Sequence, residues 1–311
     1  MASVPNPLNN ENPNKNDTNP NNTNTIPIFI STESLHAILS HPTLIDHLQS
    51  SLPAASSTLQ TPIRQSYSVS QSSSLLLMPS WSSSPSLPYV GVKLVTYFPQ
   101  NSALNLPGVH ASYVLFSSVT GQTLASMDGT VLTLYRTSCV SGLASKILAR
   151  NDSETLVMIG AGAMAPHLIK AHLSARPSLR REIVGLGDIV SCATNLETPV
   201  VKGERLKAGA HLDLVGSFKH SMMECDDEAI RRGRVFVDNE AALVEAGELV
   251  GAFERRVIEK GDIGGNLVEL IKGEKVGRRS SEEITVFKSV GSAIVDILAA
   301  QLVYETYIGK Q

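Results

Sequence analysis

The stretch Leu156-Val157-Met158-Ile159-Gly160-Ala161-Gly162-Ala163-Met164-Ala165 decides how this chain is read. Four apolar residues in a row suit a strand buried on both faces of a parallel sheet. The glycines follow at once, and Leu168, Ile169, Ala171 and Leu173 then recur at helical spacing. G-x-G-x-x-A between strand and helix is the pattern of a dinucleotide-binding turn. The first glycine permits the tight turn, the second admits a pyrophosphate against the backbone, and the small third residue lets helix and strand pack closely. The helix N-terminus then faces the anion. Gly160, Ala161, Gly162, Ala163 and Met164 are therefore candidate cofactor-binding residues, against the alternative of a purely structural turn.

Downstream, the pattern is cut short. A complete unit places a second strand about 20 residues on, ending in an acid for the ribose or a base for a 2′-phosphate. Here Pro177 is followed by Leu179-Arg180-Arg181-Glu182-Ile183-Val184-Gly185-Leu186-Gly187, which leads directly into the strand Asp188-Ile189-Val190-Ser191-Cys192-Ala193-Thr194. Glu182 stands near the expected distance, but no apolar strand precedes it. A βαβ unit takes about 30 residues, so at least one is missing between Arg181 and Asp188.

Working outward, the N-terminal half reads differently. Ile26-Pro27-Ile28-Phe29-Ile30 is a short strand, and Ser31 or Thr32 caps a helix with Leu35, Ile38 and Leu39. Leu75-Leu76-Leu77-Met78 is a strand, followed by a polar loop around Trp81. Three β-like runs follow: Tyr89 to Phe98, Ala111 to Ser117, and Leu124 to Tyr135 broken by the turn Asp128-Gly129. Arg136 then ends a strand, with Thr137 or Ser138 capping the next helix. Strand and helix alternate from about Ser138 onward, the α/β signature. The first 25 residues hold ten Asn and four Pro, and cannot bury enough surface to offset their ordering, so a disordered tail is expected.

Composition excludes several classes. The 311 residues are 18% charged with a net charge of -3, which provides no basic field for a phosphate backbone, so no nucleic acid is expected. The most apolar segment, Ser292 to Tyr304, is too short to span a membrane and carries Asp296. Three scattered cysteines fit a reducing compartment without disulfides or a zinc ribbon. His167 and His172 lie five apart on their helix, off a shared face, and His36, His41 and His47 lack ligand spacing, so no metal site is expected.

These motifs resemble the ornithine cyclodeaminase/mu-crystallin family. Gly91-Val92-Lys93-Leu94-Val95-Thr96, Asp128-Gly129 before Leu134-Tyr135-Arg136-Thr137, the glycine turn, Asp188 to Thr194, Gly261-Asp262-Ile263 and Glu283 to Gly291 arrive in family order. The resemblance runs from about residue 27 to the C-terminus. Within the family, Val215-Gly216-Ser217-Phe218-Lys219-His220-Ser221-Met222-Met223-Glu224-Cys225-Asp226 looks most like the plant ketimine reductases that make pipecolate.

The resemblance implies an α/β fold: a truncated Rossmann-like parallel sheet over 138–289, and an α+β substrate and dimerisation domain over 26–137 with 290–311. It implies reduction of a cyclic ketimine carboxylate by NADPH or NADH in a homodimer. Lys93, Arg64 and Arg136 match the family's substrate residues. A guanidinium fork suits a carboxylate, and Lys93, alternating with Gly91 and Val95, would hold the carboxylate or assist proton delivery to the imine nitrogen. Without the family, Lys93 reads rather as an edge-strand or snorkelling lysine, and Arg64 equally as a surface arginine. Thr137, Thr194 with Asn195, Val215, Gly216, Ser289 and Gly291 fall at family cofactor positions. The family's second strand carries the residues that grip the adenosine ribose or its phosphate, so weak dinucleotide binding is expected. Ornithine cyclodeaminases carry Gly-Gly-Asp where this chain has Gly216-Ser217-Phe218, and phenylalanine accepts no proton. Nor do the nearest acids, Asp213 and Glu224, align. A cyclodeaminase and a catalytically silent binding protein or dimer partner remain the alternatives. The compartment is cytoplasmic by default, or plastid through the plant resemblance, although the N-terminal segment makes a poor transit peptide.

Overall fold

The structure, a computed structural model, describes residues 26–181 and 187–309. The expected tail over residues 1–25 and the run Glu182 to Leu186, with the candidate acid Glu182, lie outside the described residues.

Two sheets carry the fold. The first is built from β1 (Ile28–Ile30), β2 (Leu59–Gln60), β3 (Gln65–Ser68), β4 (Ser74–Ser82), β5 (Tyr89–Tyr97), β6 (Val109–Ser117) and β7 (Thr123–Asp128). Its order is β1-β7-β6-β5-β4-β2, with β3 also on β4, and it is antiparallel except where β1 joins β7. Helices α1 (Thr32–Ile38), α2 (His41–Thr58) and α3 (Gly129–Leu148) follow their strands. One apolar core joins Leu44, Leu48 and Leu52 of α2 to Leu115 and Met127 of the sheet and Leu132 and Leu143 of α3.

The second sheet is wholly parallel, in the order β12-β13-β11-β10-β8-β9. Its strands are β8 (Thr155–Ile159), β9 (Arg180–Arg181), β10 (Ile189–Cys192), β11 (His211–Leu214), β12 (Gly233–Val237) and β13 (Ile284–Lys288). The helices between and after them are α4 (Met164–Ala175), α5 (Asp227–Arg232), α6 (Ala242–Glu245), α7 (Gly247–Glu254), α8 (Leu267–Lys272) and α9 (Ala293–Gly309). The last of these returns to pack on β4, β5 and α2 of the first layer.

Three local readings are corrected. The run from Leu124 to Tyr135 is not a strand interrupted by a turn: β7 ends at Asp128 and α3 begins at Gly129. Asp128 Oδ1 accepts hydrogen bonds from Thr130 N at 2.8 Å and Val131 N at 3.1 Å, and this cap outweighs the strand preference of the Thr, Val and Leu residues that follow. The expected domain boundary at 137/138 falls inside α3. Trp81 belongs to β4 rather than to a loop. Pro79 is accommodated because β3 covers only Ser74 to Leu77 of that edge and β2 only Trp81 and Ser82, leaving the proline where no ladder bond is needed. A short strand at Arg180–Arg181 pairs in parallel with Thr155 and Leu156 of β8.

Candidate active site

Lys93 lies on the inward-facing set Tyr89, Gly91 and Lys93 of β5, as strand alternation predicts. Only 2% of it is exposed. Its Nζ donates to Asp296 Oδ1 at 2.9 Å and lies 2.7 Å from Oδ2. Asp296 stands in the first turn of α9 and is fully buried. Arg136 Nε approaches Asp296 Oδ1 at 2.8 Å as a charge contact, its N–H not aligned on that oxygen. Two cations thus share one carboxylate. Burial first, and then the Arg136 charge, pull the Lys93 ammonium down to about 8 against the opposing attraction of Asp296.

Arg136 does not end a strand. It sits inside α3, and neither Thr137 nor Ser138 is a cap, so no helix N-terminus adds to its charge. Its guanidinium head instead lies against Gly291, where a β-carbon would come within 2.9 Å of Nη1. Arg64 lies between β2 and β3, and its fork is engaged by Glu245 of α6. Nε donates to Oε1 at 3.1 Å, and Nη2 donates both to Oε2 and, at 3.2 Å, to the Val290 carbonyl.

Across from these cations stand the ends of the parallel strands. Gly160 has φ +108°, and a β-carbon there would fall 2.4 Å from the Ala193 carbonyl oxygen, which explains the glycine after β8. At Gly162 a β-carbon would meet nothing within 4 Å. No side chain caps α4; in its first turn Ala165 N donates to the Gly162 carbonyl at 3.0 Å and Pro166 has no N–H, which leaves Met164 N to face an anion. Thr194 and Gly216 follow β10 and β11 and are tied together by the buried Glu224. Its Oε1 accepts from Thr194 N and its Oε2 from Gly216 N, both at 2.7 Å. Ser289 and Gly291 follow β13 and are held by Asp238, whose Oδ2 accepts from Ser289 Oγ and Gly291 N at 2.8 Å each. The Ser289 hydroxyl is therefore turned toward Asp238.

A single cavity of about 660 Å³ is lined by Arg64, Lys93, Arg136, Thr137, Gly162, Ala163, Met164, Thr194, Asn195, Val215, Gly216, Ser289 and Gly291. Gly160 and Ala161 lie in the turn that leads to it and do not line it. The remaining wall is largely apolar, with Leu76, Met78, Val95, Tyr97 and Phe218, and none of the described lining residues is acidic. Asp213 and Glu224 face elsewhere: Asp213 accepts from Ser191 Oγ at 2.7 Å, and Glu224 holds the two strand ends. Thr137 Oγ1 is buried without a partner.

Sequence reasoning missed Asp296, Asp238, Glu224 and Glu245 as parts of this site. Asp296 left a trace, since it is a charge inside the most apolar segment of the chain. The other three left none, because their partners lie on strands and loops far away in sequence. Rings of His36, His41 and His167, which sequence spacing kept apart, gather around Tyr135 in aromatic contact.

Comparison with known proteins agrees with this geometry. A protein of Arabidopsis thaliana, SAR DEFICIENT 4, is 62% identical over 321 aligned positions covering 92% of this chain and 99% of its own. Those positions outnumber the residues of this chain, so the relative has residues with no counterpart here. The Delta(1)-pyrroline-2-carboxylate reductase of Colwellia psychrerythraea is 36% identical over 89% of this chain and 98% of its own. The solved structure of Thermococcus litoralis Delta(1)-pyrroline-2-carboxylate reductase in complex with NADH and L-proline superposes with a TM-score of 0.85 at 30% identity, covering 91% of this chain and 98% of that one. The ornithine cyclodeaminase/mu-crystallin family profile matches residues 27–181 and 169–311, two segments that overlap from the second half of α4 to β9. The chain therefore belongs to the ornithine cyclodeaminase/mu-crystallin family.

Proposed function

We propose that the protein reduces a cyclic ketimine carboxylate, either piperideine-2-carboxylate to pipecolate or pyrroline-2-carboxylate to proline, with NADPH or NADH as reductant. The observation that carries this reading is a cavity with buried cations on one side, a glycine turn on the other, and no acid in its described lining. The residues present fit the pyrophosphate of a dinucleotide: open space over Gly162 and an uncapped α4 N-terminus suit an anion. When bound, the dinucleotide supplies the hydride. The chain's own residues supply orientation and charge. Arg136, its Nε directed to Asp296, offers its two terminal nitrogens to the substrate carboxylate. Lys93 stands beside it to give a proton to the imine nitrogen as that nitrogen becomes an amine. Leu76, Met78, Val95, Tyr97 and Phe218 surround the methylene carbons of the ring and keep water from them.

A cyclodeaminase needs a carboxylate beside the substrate amine. Phe218 occupies that stretch of wall, and this favours plain imine reduction over cyclodeamination.

A homodimer fits as well. The face of the first sheet turned away from the core exposes Trp81 and Leu94, with Tyr67 and Val69 at its edge, and a second copy would cover it. No described helix is long and apolar enough to cross a membrane.

The test is loss of NADPH absorbance on adding a cyclic imine acid to the purified protein. Lys93→Ala is expected to cut kcat by about 10²–10⁴-fold, the worth of a positioned general acid. A dimer without turnover would instead support a silent partner of the same fold.

A further inference from the structure

Resting on that reading, we propose that Asp296 is the positioning residue for Lys93, holding its ammonium charged and aimed into the cavity although it lies 203 positions away on the last helix. Lys93 is enclosed by groups from four elements. Arg136 faces it from α3 and Arg64 from the β2–β3 segment, both cationic, while the buried Tyr113 hydroxyl stands on β6 and Asp296 on α9. The Tyr113 hydroxyl occupies the space a β-carbon would take at Gly91, 1.9 Å away, and Tyr113 is the cross-strand partner of Lys93, so β5 and β6 pack tightly there.

In such a place a lysine beside a second cation loses its proton readily, because burial and repulsion both favour the neutral amine. Asp296 is the only carboxylate described in contact with Lys93. Its two oxygens stand within 2.9 Å of Nζ, which occupies up to two of the three ammonium N–H groups and leaves the third for the cavity. The same carboxylate lies 2.8 Å from Nε of Arg136, so one anion draws both cations to the same wall of the cavity. Asp296 does not line the cavity and touches no reacting atom; it acts through Lys93 and Arg136.

The experiment compares wild type with Asp296→Asn by two readouts. In the protein alone, the Lys93 ammonium signal, assigned by its loss in Lys93→Met, is titrated by NMR. In the reductase assay, kcat and KM are followed against pH. Lys93 is active when protonated, so wild-type turnover falls as pH rises through about 8. Without the carboxylate, both the NMR midpoint and the basic limb are expected to move down by about one to three pH units, with kcat lost more than KM. A folded Asp296→Asn with unchanged midpoint and limb overturns the inference. If Asp296→Asn does not fold, Asp296→Glu decides. A midpoint near wild type with at least a tenfold loss of kcat supports positioning, and wild-type kcat overturns it. Wild-type protein without turnover would defeat the reductase reading alone, since the NMR titration still tests the pairing of Asp296 with Lys93.

Discussion

The two sides of the cavity are built to different standards. On the cationic side every charged group has a defined partner drawn from a distant element: Lys93 and Arg136 on Asp296, and Arg64 on Glu245. A core running through α2, α3, α9 and the first sheet backs them. On the side of the glycine turn the strand ends are equally well tied, Thr194 and Gly216 by Glu224 and Ser289 and Gly291 by Asp238. Beyond β8, however, the sheet continues among the described residues with only the two paired residues of β9. Six residues then separate Arg181 from Asp188, too few for a strand, helix and strand. The cationic wall can therefore be complete in a chain whose second sheet is short beyond β8 among the described residues, because the two draw on different sheets.

The largest test of that contrast restores the difference. Inserting after Arg181 a strand–helix–strand segment from a relative of the same family is expected to tighten NADPH binding by about a hundredfold, near 3 kcal/mol. Fluorescence titration measures it. Micromolar affinity in the present 311-residue form would break the comparison outright. A smaller effect is expected at the turn itself. Gly160→Ala forces a side chain onto a left-handed residue and against the Ala193 carbonyl, and should cost about 1–3 kcal/mol of stability in urea unfolding. Stability unchanged by that variant would mean the turn is looser than its geometry indicates. The smallest effect belongs to the rim. Glu245→Gln frees the Arg64 fork, and KM for the imine acid should change by no more than about fivefold with kcat kept, as suits a partly exposed ion pair. A larger change would make Arg64 a principal carboxylate ligand.

Much of the site was legible in the sequence because its signals are local. The glycine turn announces itself by its place between an apolar run and a helix, and Lys93 by alternation within one strand. Arg136 was found through family resemblance but misplaced in the fold, since Thr, Val and Leu around it favour a strand and only the Asp128 cap starts the helix early. Arg64 was identified without the partner that occupies it.

The sequence by itself determined the glycine turn between strand and helix, the alternation that turns Lys93 inward, the family and the short connection after Arg181, because each is written in neighbouring residues. Only the tertiary structure decided which charges meet. Asp296 reaches Lys93 and Arg136 because α9 folds back under β4 and β5, and Glu224 joins Thr194 to Gly216 because β10 and β11 end side by side. Coulomb attraction depends on distance in space, and spacing along the chain carries no record of it.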